Sequence, residues 1–239
     1  GEIHRPTRDL DLLGFGDSSI TAISTIFSEI LSNPVAKDDG IEWGAVKAKL
    51  IREEQFYGGV RVESSATISQ ARVNVQVDIG FGDSVSPAPI EKQWPALLDF
   101  PTPILRAYPP ETVIAEKLHA AVEMDFRNSR MKDFFDLVWL QENQSFEMAT
   151  LREAVLLTFE RRDTAIPEEI PFALTDEFSS GSTKQTQWKA FLRKNKLENR
   201  SLEEVIQQLR KFLGPVLFPP SEGHKLIWEP DDGWQEKRS

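Results

Sequence analysis

The stretch Arg8-Asp9-Leu10-Asp11-Leu12-Leu13, closed by Gly14-Phe15-Gly16, sets the reading of this chain. Polar and apolar residues alternate through it with the period of a half-buried β-strand, and the glycines end it. Side chains two apart on a strand leave the same face, so Asp9 and Asp11 project together, while Leu10 and Leu12 are expected to point into a core. Two carboxylates held that close repel, and a bridging divalent cation is their simplest neutralisation. A second alternating stretch, Arg72-Val73-Asn74-Val75-Gln76-Val77-Asp78-Ile79, puts the valines and Ile79 on one face and Asp78 on the other. Three carboxylates on neighbouring strands can hold two Mg²⁺ ions ~3.5–4 Å apart, one activating a nucleophile and one clamping phosphates. A solvated polar face with ordinary aspartates accounts for the same pattern.

Around these strands the texture is mixed. Asp17-Ser18-Ser19 reads as a helix cap, and Ile20, Ile23, Ile26, Phe27 and Ile30 recur at helical spacing until Asn33-Pro34. Short β-like stretches follow at 42–46, 48–53, 59–63 and 71–79, with Gly58-Gly59 taken as a turn, so an antiparallel meander is expected. A connector with five prolines spans 83–108, and Pro109-Pro110 opens a helix at Glu111. Helical patterns then cover roughly 111–125, 132–142, 146–161, 184–195 and 202–213, the last beginning with the capping box Ser201-x-x-Glu204. From Pro219 the tail is polar and turn-rich, with Trp228 and Trp234 as anchors. The expected class is α+β: an α/β domain over 1–107 with a mixed or antiparallel sheet, then a helical domain over 108–239.

Composition narrows the chemistry. The 239 residues carry 38 acidic and 28 basic side chains, a formal charge of −10, and no cysteine. Thiolate zinc sites, disulfides and cysteine nucleophiles are excluded. The three histidines, His4, His119 and His224, lack metal-ligand spacing, so any metal rests on carboxylates and is a hard ion such as Mg²⁺ or Mn²⁺. No apolar run approaches the ~18–20 residues of a membrane span and no signal segment precedes the first strand, which makes a cytoplasmic protein the expectation. The chain starts at Gly1 without Met, as a fragment or a processed chain would.

The helix from Glu111 carries Lys117 between Val113 and Ala121, on an apolar stripe. Burying an ammonium costs several kcal/mol unless it meets an anion. A triphosphate or an aspartate would serve, and snorkelling of the stem is the plainer alternative. After a basic turn with Arg127 and Arg130 comes Lys132-Asp133-Phe134-Phe135-Asp136-Leu137. Asp133 and Asp136 share a helix face. First-turn capping suits Asp133, while Asp136, beside Trp139 and Leu140, reads as partly buried and paired, with Lys117 as its partner.

Taken together, Arg5 to Gly14, Val77-Asp78-Ile79, Glu111 to Ala120 with its Ala-Glu-Lys-Leu core, and Arg130-Met-Lys-Asp-Phe-Phe-Asp-Leu137 resemble the AbiEii/AbiGii-type nucleotidyltransferase toxins, a branch of the polymerase-beta-like nucleotidyltransferases. Gln187-Trp188-Lys-Ala-Phe-Leu192 is a weaker match. The resemblance implies metal-dependent transfer of a nucleoside monophosphate from an NTP to RNA, at the tRNA acceptor end, with arrest of translation and a cognate antitoxin as partner. It implies Asp9 and Asp11 as metal ligands, Asp78 as a further ligand or as base, Lys117 on the triphosphate, and Asp133 or Asp136 orienting Lys117 or the nucleotide. Arg8, Arg130 and Lys132 are expected to help bind the nucleotide. The family's Gly-Ser-type phosphate turn has no counterpart in the eight residues before Asp9, so that cradle is expected upstream of Gly1 and the chain as given is expected to bind NTP weakly.

Two other readings stay open: a non-catalytic antitoxin- or RNA-binding module of the same fold, and NMP transfer to a protein or small molecule. From Lys184 to Arg200 six basic residues stand against one acid, Glu198, with Trp188 and Phe191 interleaved. An RNA-backbone contact and a solvated helix face both explain that run. Ser64-Ser65 has no neighbouring base, so a hydrolase reading has no support.

Overall fold

The structure is a computed structural model that describes residues 5–7, 9–33, 39–53, 57–96, 99–220 and 225–236. Arg8 falls outside them. By its internal contacts the chain divides into two compact units, Arg5–Asp83 and, in the main, Ser84–Ser239. The architecture is α+β: the first unit is a sheet with one helix, the second is mostly helical.

In the first unit, β1 (Leu10–Gly14) lies at an edge, parallel to β5 (Ala71–Phe81). Next comes β4 (Tyr57–Ile68), antiparallel to β5. Two short strands then share β4 as their neighbour: β2 (Ile41–Trp43) along its C-terminal end and β3 (Lys47–Glu53) along its N-terminal half. The break between them is held at Gly44, whose N–H donates to Ser65 O at 2.8 Å and whose carbonyl accepts from Ser64 Oγ at 2.9 Å. The meander expected behind a first strand is therefore present, with β1 added in parallel.

Helix α1 (Ile20–Ser32) starts where expected, with Ser19 Oγ accepting from the Ala22 N–H, and ends at Asn33. It packs on β3 and β4, and its Ile23 meets Val60, Val62, Val77 and Ile79 to form a small core. Two sequence expectations fail in this unit. Leu10 and Leu12 do face the same side as Val77 and Ile79, their register partners, but stay 58% and 48% exposed, because α1 is seated over β3 and β4 rather than over the edge strand. Gly58-Gly59 is no turn and lies within β4. A Cβ on Gly59 would come within 2.9 Å of the Ile79 carbonyl oxygen, so the glycine admits a close backbone approach.

The second unit begins with a two-stranded ribbon, β6 (Ile90–Gln93) and β7 (Ile104–Ala107). Helix α2 (Pro110–Met124) has proline in its first turn, where the missing N–H costs nothing. Thr112 Oγ1 ties the segment before it by donating to Ser86 O at 2.8 Å. Then come α3 (Met131–Asn143), the short β8 (Phe146–Glu147), α4 (Met148–Arg161), α5 (Asp176–Ser180), α6 (Ser182–Asn195) and α7 (Leu202–Leu217). The capping box at Ser201 and Glu204 is formed in both directions. Helix α7 runs four residues past the expected end, through Pro215.

The core of this unit gathers Ile114, Leu118, Phe134, Leu137, Leu151 and Phe212. Complete burial of each such side chain contributes about 1.5–3 kcal/mol. The tail is more ordered than its composition suggests: β9 (Leu226–Glu229) pairs with β8 on one side and β10 (Gly233–Glu236) on the other. Trp228 Nε1 donates to Gln141 O at 2.7 Å and Trp234 Nε1 to Phe212 O at 2.8 Å, so both tryptophans anchor it. No helix among the described residues is long and apolar enough to cross a membrane.

Candidate active site

The parallel register of β1 and β5 sets Asp11 beside Asp78, and Asp9 stands two residues before Asp11, on the same side of the strand. Each of the three aspartates offers an oxygen, and these atoms all lie within 4.8 Å of one another. Asp78 is 16% exposed at its side chain and receives a two-pronged ion pair from Arg61 of β4, its antiparallel register partner. Arg61 Nε donates to Oδ1 and Nη2 to Oδ2, each at 2.7 Å. Sequence reasoning missed Arg61. Its polar phase in an alternating strand was visible, but its pairing with Asp78 depends on the register of β4 against β5.

The donor set fits a hard divalent cation. All three ligand atoms are carboxylate oxygens, the donor type a hard divalent cation takes. Asp9 and Asp78 are partly buried and Asp11 is exposed, so an ion there would keep water ligands, as Mg²⁺ prefers.

In the helical unit, Lys117 of α2 reaches between two carboxylates of α3, with Nζ 3.0 Å from Asp133 Oδ1 and 2.8 Å from Asp136 Oδ2. Arg130 Nε lies 2.7 Å from Asp133 Oδ2. The two acids are buried, at 3% and 8% side-chain exposure, and Lys117 keeps 18%. Burial works to lower the Lys117 pKa, but the Asp133 and Asp136 carboxylates outweigh it and hold the ammonium above its ordinary range. Lys117 is thus a paired cation rather than a snorkelling one, and Asp136 has the partner expected of it. Asp133 does not cap α3: its carboxylate is spent on Lys117 and Arg130. Lys132, one residue from Asp133 and so about 100° around the helix, is not brought into this cluster.

Behind Lys117, Glu116 meets Arg162 Nη2 at 2.6 Å, and His119 shares a 2.9 Å hydrogen bond with Thr164 Oγ1. Burial, assisted by the charge of Arg162, pushes the His119 pKa down to about 4. These contacts lock α2 to the end of α4 and were not foreseen. The basic run also divides. Lys184 Nζ donates to the carbonyls of Phe126 and Asn128 at 2.8 and 2.6 Å, and Arg200 Nη1 pairs with Glu142 at 3.0 Å, so both serve the fold.

The class is set by the family whose model matches the chain, that of nucleotidyl transferases. Within that class the chain belongs to the family described as nucleotidyl transferase AbiEii toxin of type IV toxin–antitoxin systems, which matches residues 1–211. Among solved structures it is similar to JHP933 from Helicobacter pylori, at 16% identity and a TM-score of 0.44, covering 90% of this chain and 75% of that one. A second H. pylori structure, described as a candidate nucleotidyltransferase, gives 15% identity and a TM-score of 0.44, covering 90% and 77%. No curated protein matches the sequence significantly.

Proposed function

We propose that this toxin-family nucleotidyltransferase transfers a nucleoside monophosphate from an NTP to RNA, at the acceptor end of tRNA, and thereby stops translation in the cytoplasm until a cognate antitoxin counters it. The observation that carries the reading is the Asp9–Asp11–Asp78 cluster, whose oxygens lie within 4.8 Å of one another on one face of the sheet. Asp9 and Asp11 hold a divalent cation, Mg²⁺ or Mn²⁺, with Asp78 as third ligand or as the base that takes the proton of the incoming hydroxyl. Bound there, the ion supplies Lewis-acid activation of the phosphates. The helical residues take a separate role: Lys117 and Arg130, held by Asp133 and Asp136, contact the triphosphate, with Lys132 and Arg8 as further cations for it.

The test is transfer of labelled NMP to separate pools of tRNA, other RNA, partner protein and aminoglycoside, alongside growth arrest on expression. Label on tRNA that is lost in Asp9→Ala/Asp11→Ala, with toxicity lost in parallel, supports the proposal. Toxicity that survives the double substitution, or label on protein alone, overturns it.

A further inference from the structure

We propose that the outer face of α6 is a docking surface for the backbone of the acceptor RNA, an inference that rests on the RNA-directed activity proposed above and names the surface that binds the substrate. With Lys184 and Arg200 committed to carbonyls and to Glu142, four cations of the basic run remain: Lys189, Arg193, Lys194 and Lys196. All four are exposed, and among the described residues none has a carboxylate within ion-pair distance. The chain carries ten more acids than bases, so cations left without partners in it are a departure from its own average.

Lys189 and Arg193 stand at i and i+4 on one side of the helix, about 6 Å apart along its axis, with Lys194 beside them and Lys196 following at the C-cap. The opposite side is pinned to the core by Trp188, whose Nε1 donates to Arg200 O at 2.7 Å, and by Leu192. Exposed Ser182, Thr186 and Ala190 continue the outer face, small enough to let another backbone approach. No acid interrupts the chain between Glu177 and Glu198. A group of cations suits a polyanion rather than a single phosphate or carboxylate.

Solubility does not require this face, since the net charge of −10 already provides it. The helix dipole favours Arg193 and Lys194 in the last turn. It does not account for Lys189, which lies before that turn. At position 196 a lysine is held at a left-handed φ of 55°, a conformation that suits Gly or Asn better.

The experiment compares the full chain with Lys189→Gln/Arg193→Gln/Lys194→Gln/Lys196→Gln, using fluorescence anisotropy with tRNA across a salt series and NMP transfer in parallel. Because the four side chains hold no partner, the variant should keep its helix content and thermal midpoint. The expected result is at least a roughly tenfold weaker Kd near physiological salt and a log Kd–log salt slope reduced by about 3, the release of counterions from some four phosphates. Equal affinity and slope for variant and wild type would overturn the docking surface while leaving the transferase reading intact. Displacement of tRNA by polyglutamate as readily as by competitor RNA would also overturn it, in favour of an acidic protein partner. Salt-dependent tRNA binding lost in the variant, with no NMP transfer by the wild type, would sustain the surface and remove the proposed activity instead.

Discussion

Arg61 grips Asp78 with both edges of its guanidinium, Nε to Oδ1 and Nη2 to Oδ2, each at 2.7 Å. The carboxylate that would complete a cation site is therefore already charge-balanced from β4, and the arginine and an incoming cation compete for the same oxygens. Removing the arginine should cut two ways. Arg61→Ala is expected to lose about 1 kcal/mol in the absence of metal, the scale of a partly exposed pair. It is also expected to show a larger Mg²⁺-induced rise in melting temperature than wild type. Thermal melts over a Mg²⁺ titration measure both, and a smaller rise in the variant would mean that the arginine assists cation binding.

Metal removal should act on chemistry before it acts on the fold. With EDTA, NMP transfer is expected to fall to background and to return with Mg²⁺ or Mn²⁺, while circular dichroism stays unchanged. The carboxylates sit on a sheet whose core of Ile23, Val60, Val62, Val77 and Ile79 lies on its other side. Transfer that persists in chelator would contradict the role given to Asp9 and Asp11.

Lys117→Met should be costly for stability as well as for activity. It leaves Asp133 and Asp136 buried with Arg130 as the remaining cation of the cluster. Breaking a buried pair from one side costs about 3 kcal/mol or more. Urea denaturation should show that loss, and Lys117→Met/Asp136→Asn should recover part of it while transfer stays absent. A double variant no more stable than the single one would show that the loss comes from packing rather than charge.

The His119 ring gives a pH signature. Its pKa is lowered from 6.5 to about 4, by burial first and by Arg162 second, so the unfolded chain binds a proton that the folded chain refuses between those values. Its contribution to stability is complete above pH 6.5, falls as pH is lowered toward 4, and levels off below. Denaturant midpoints of wild type and His119→Gln should diverge at neutral pH and converge toward pH 4. Parallel pH profiles would assign the acid sensitivity to other groups.

Where local pattern decides, the sequence could be read directly. The alternation through Asp9–Leu13 and Val73–Ile79 located both acid-bearing strands, and a lysine on an apolar stripe called for the carboxylate that Asp136 supplies. What stayed hidden depended on partners distant along the chain. Periodicity told which way Leu10 and Leu12 face but not that α1 would settle over other strands. Gly59 resembled a turn residue because its reason for being small, the Ile79 carbonyl, lies on another strand. The grip of Arg61 on Asp78 needed the register of β4 against β5. The roles of Lys184 and Arg200 needed carbonyls and a carboxylate more than fifty residues away.

The C-terminal hairpin has a consequence for where this protein can be cut. The recognisable family sequence stops at residue 211, one position before Phe212. On that ring Trp228 and Trp234 close, with centroids 4.7 and 5.8 Å away, and Phe146 packs on it at 5.5 Å. The matched stretch and this packed aromatic cluster thus end at different residues. A chain trimmed to the matched residues would lose the end of α7 and the rings that clasp it, baring Phe146 while its carboxylate motif stays intact.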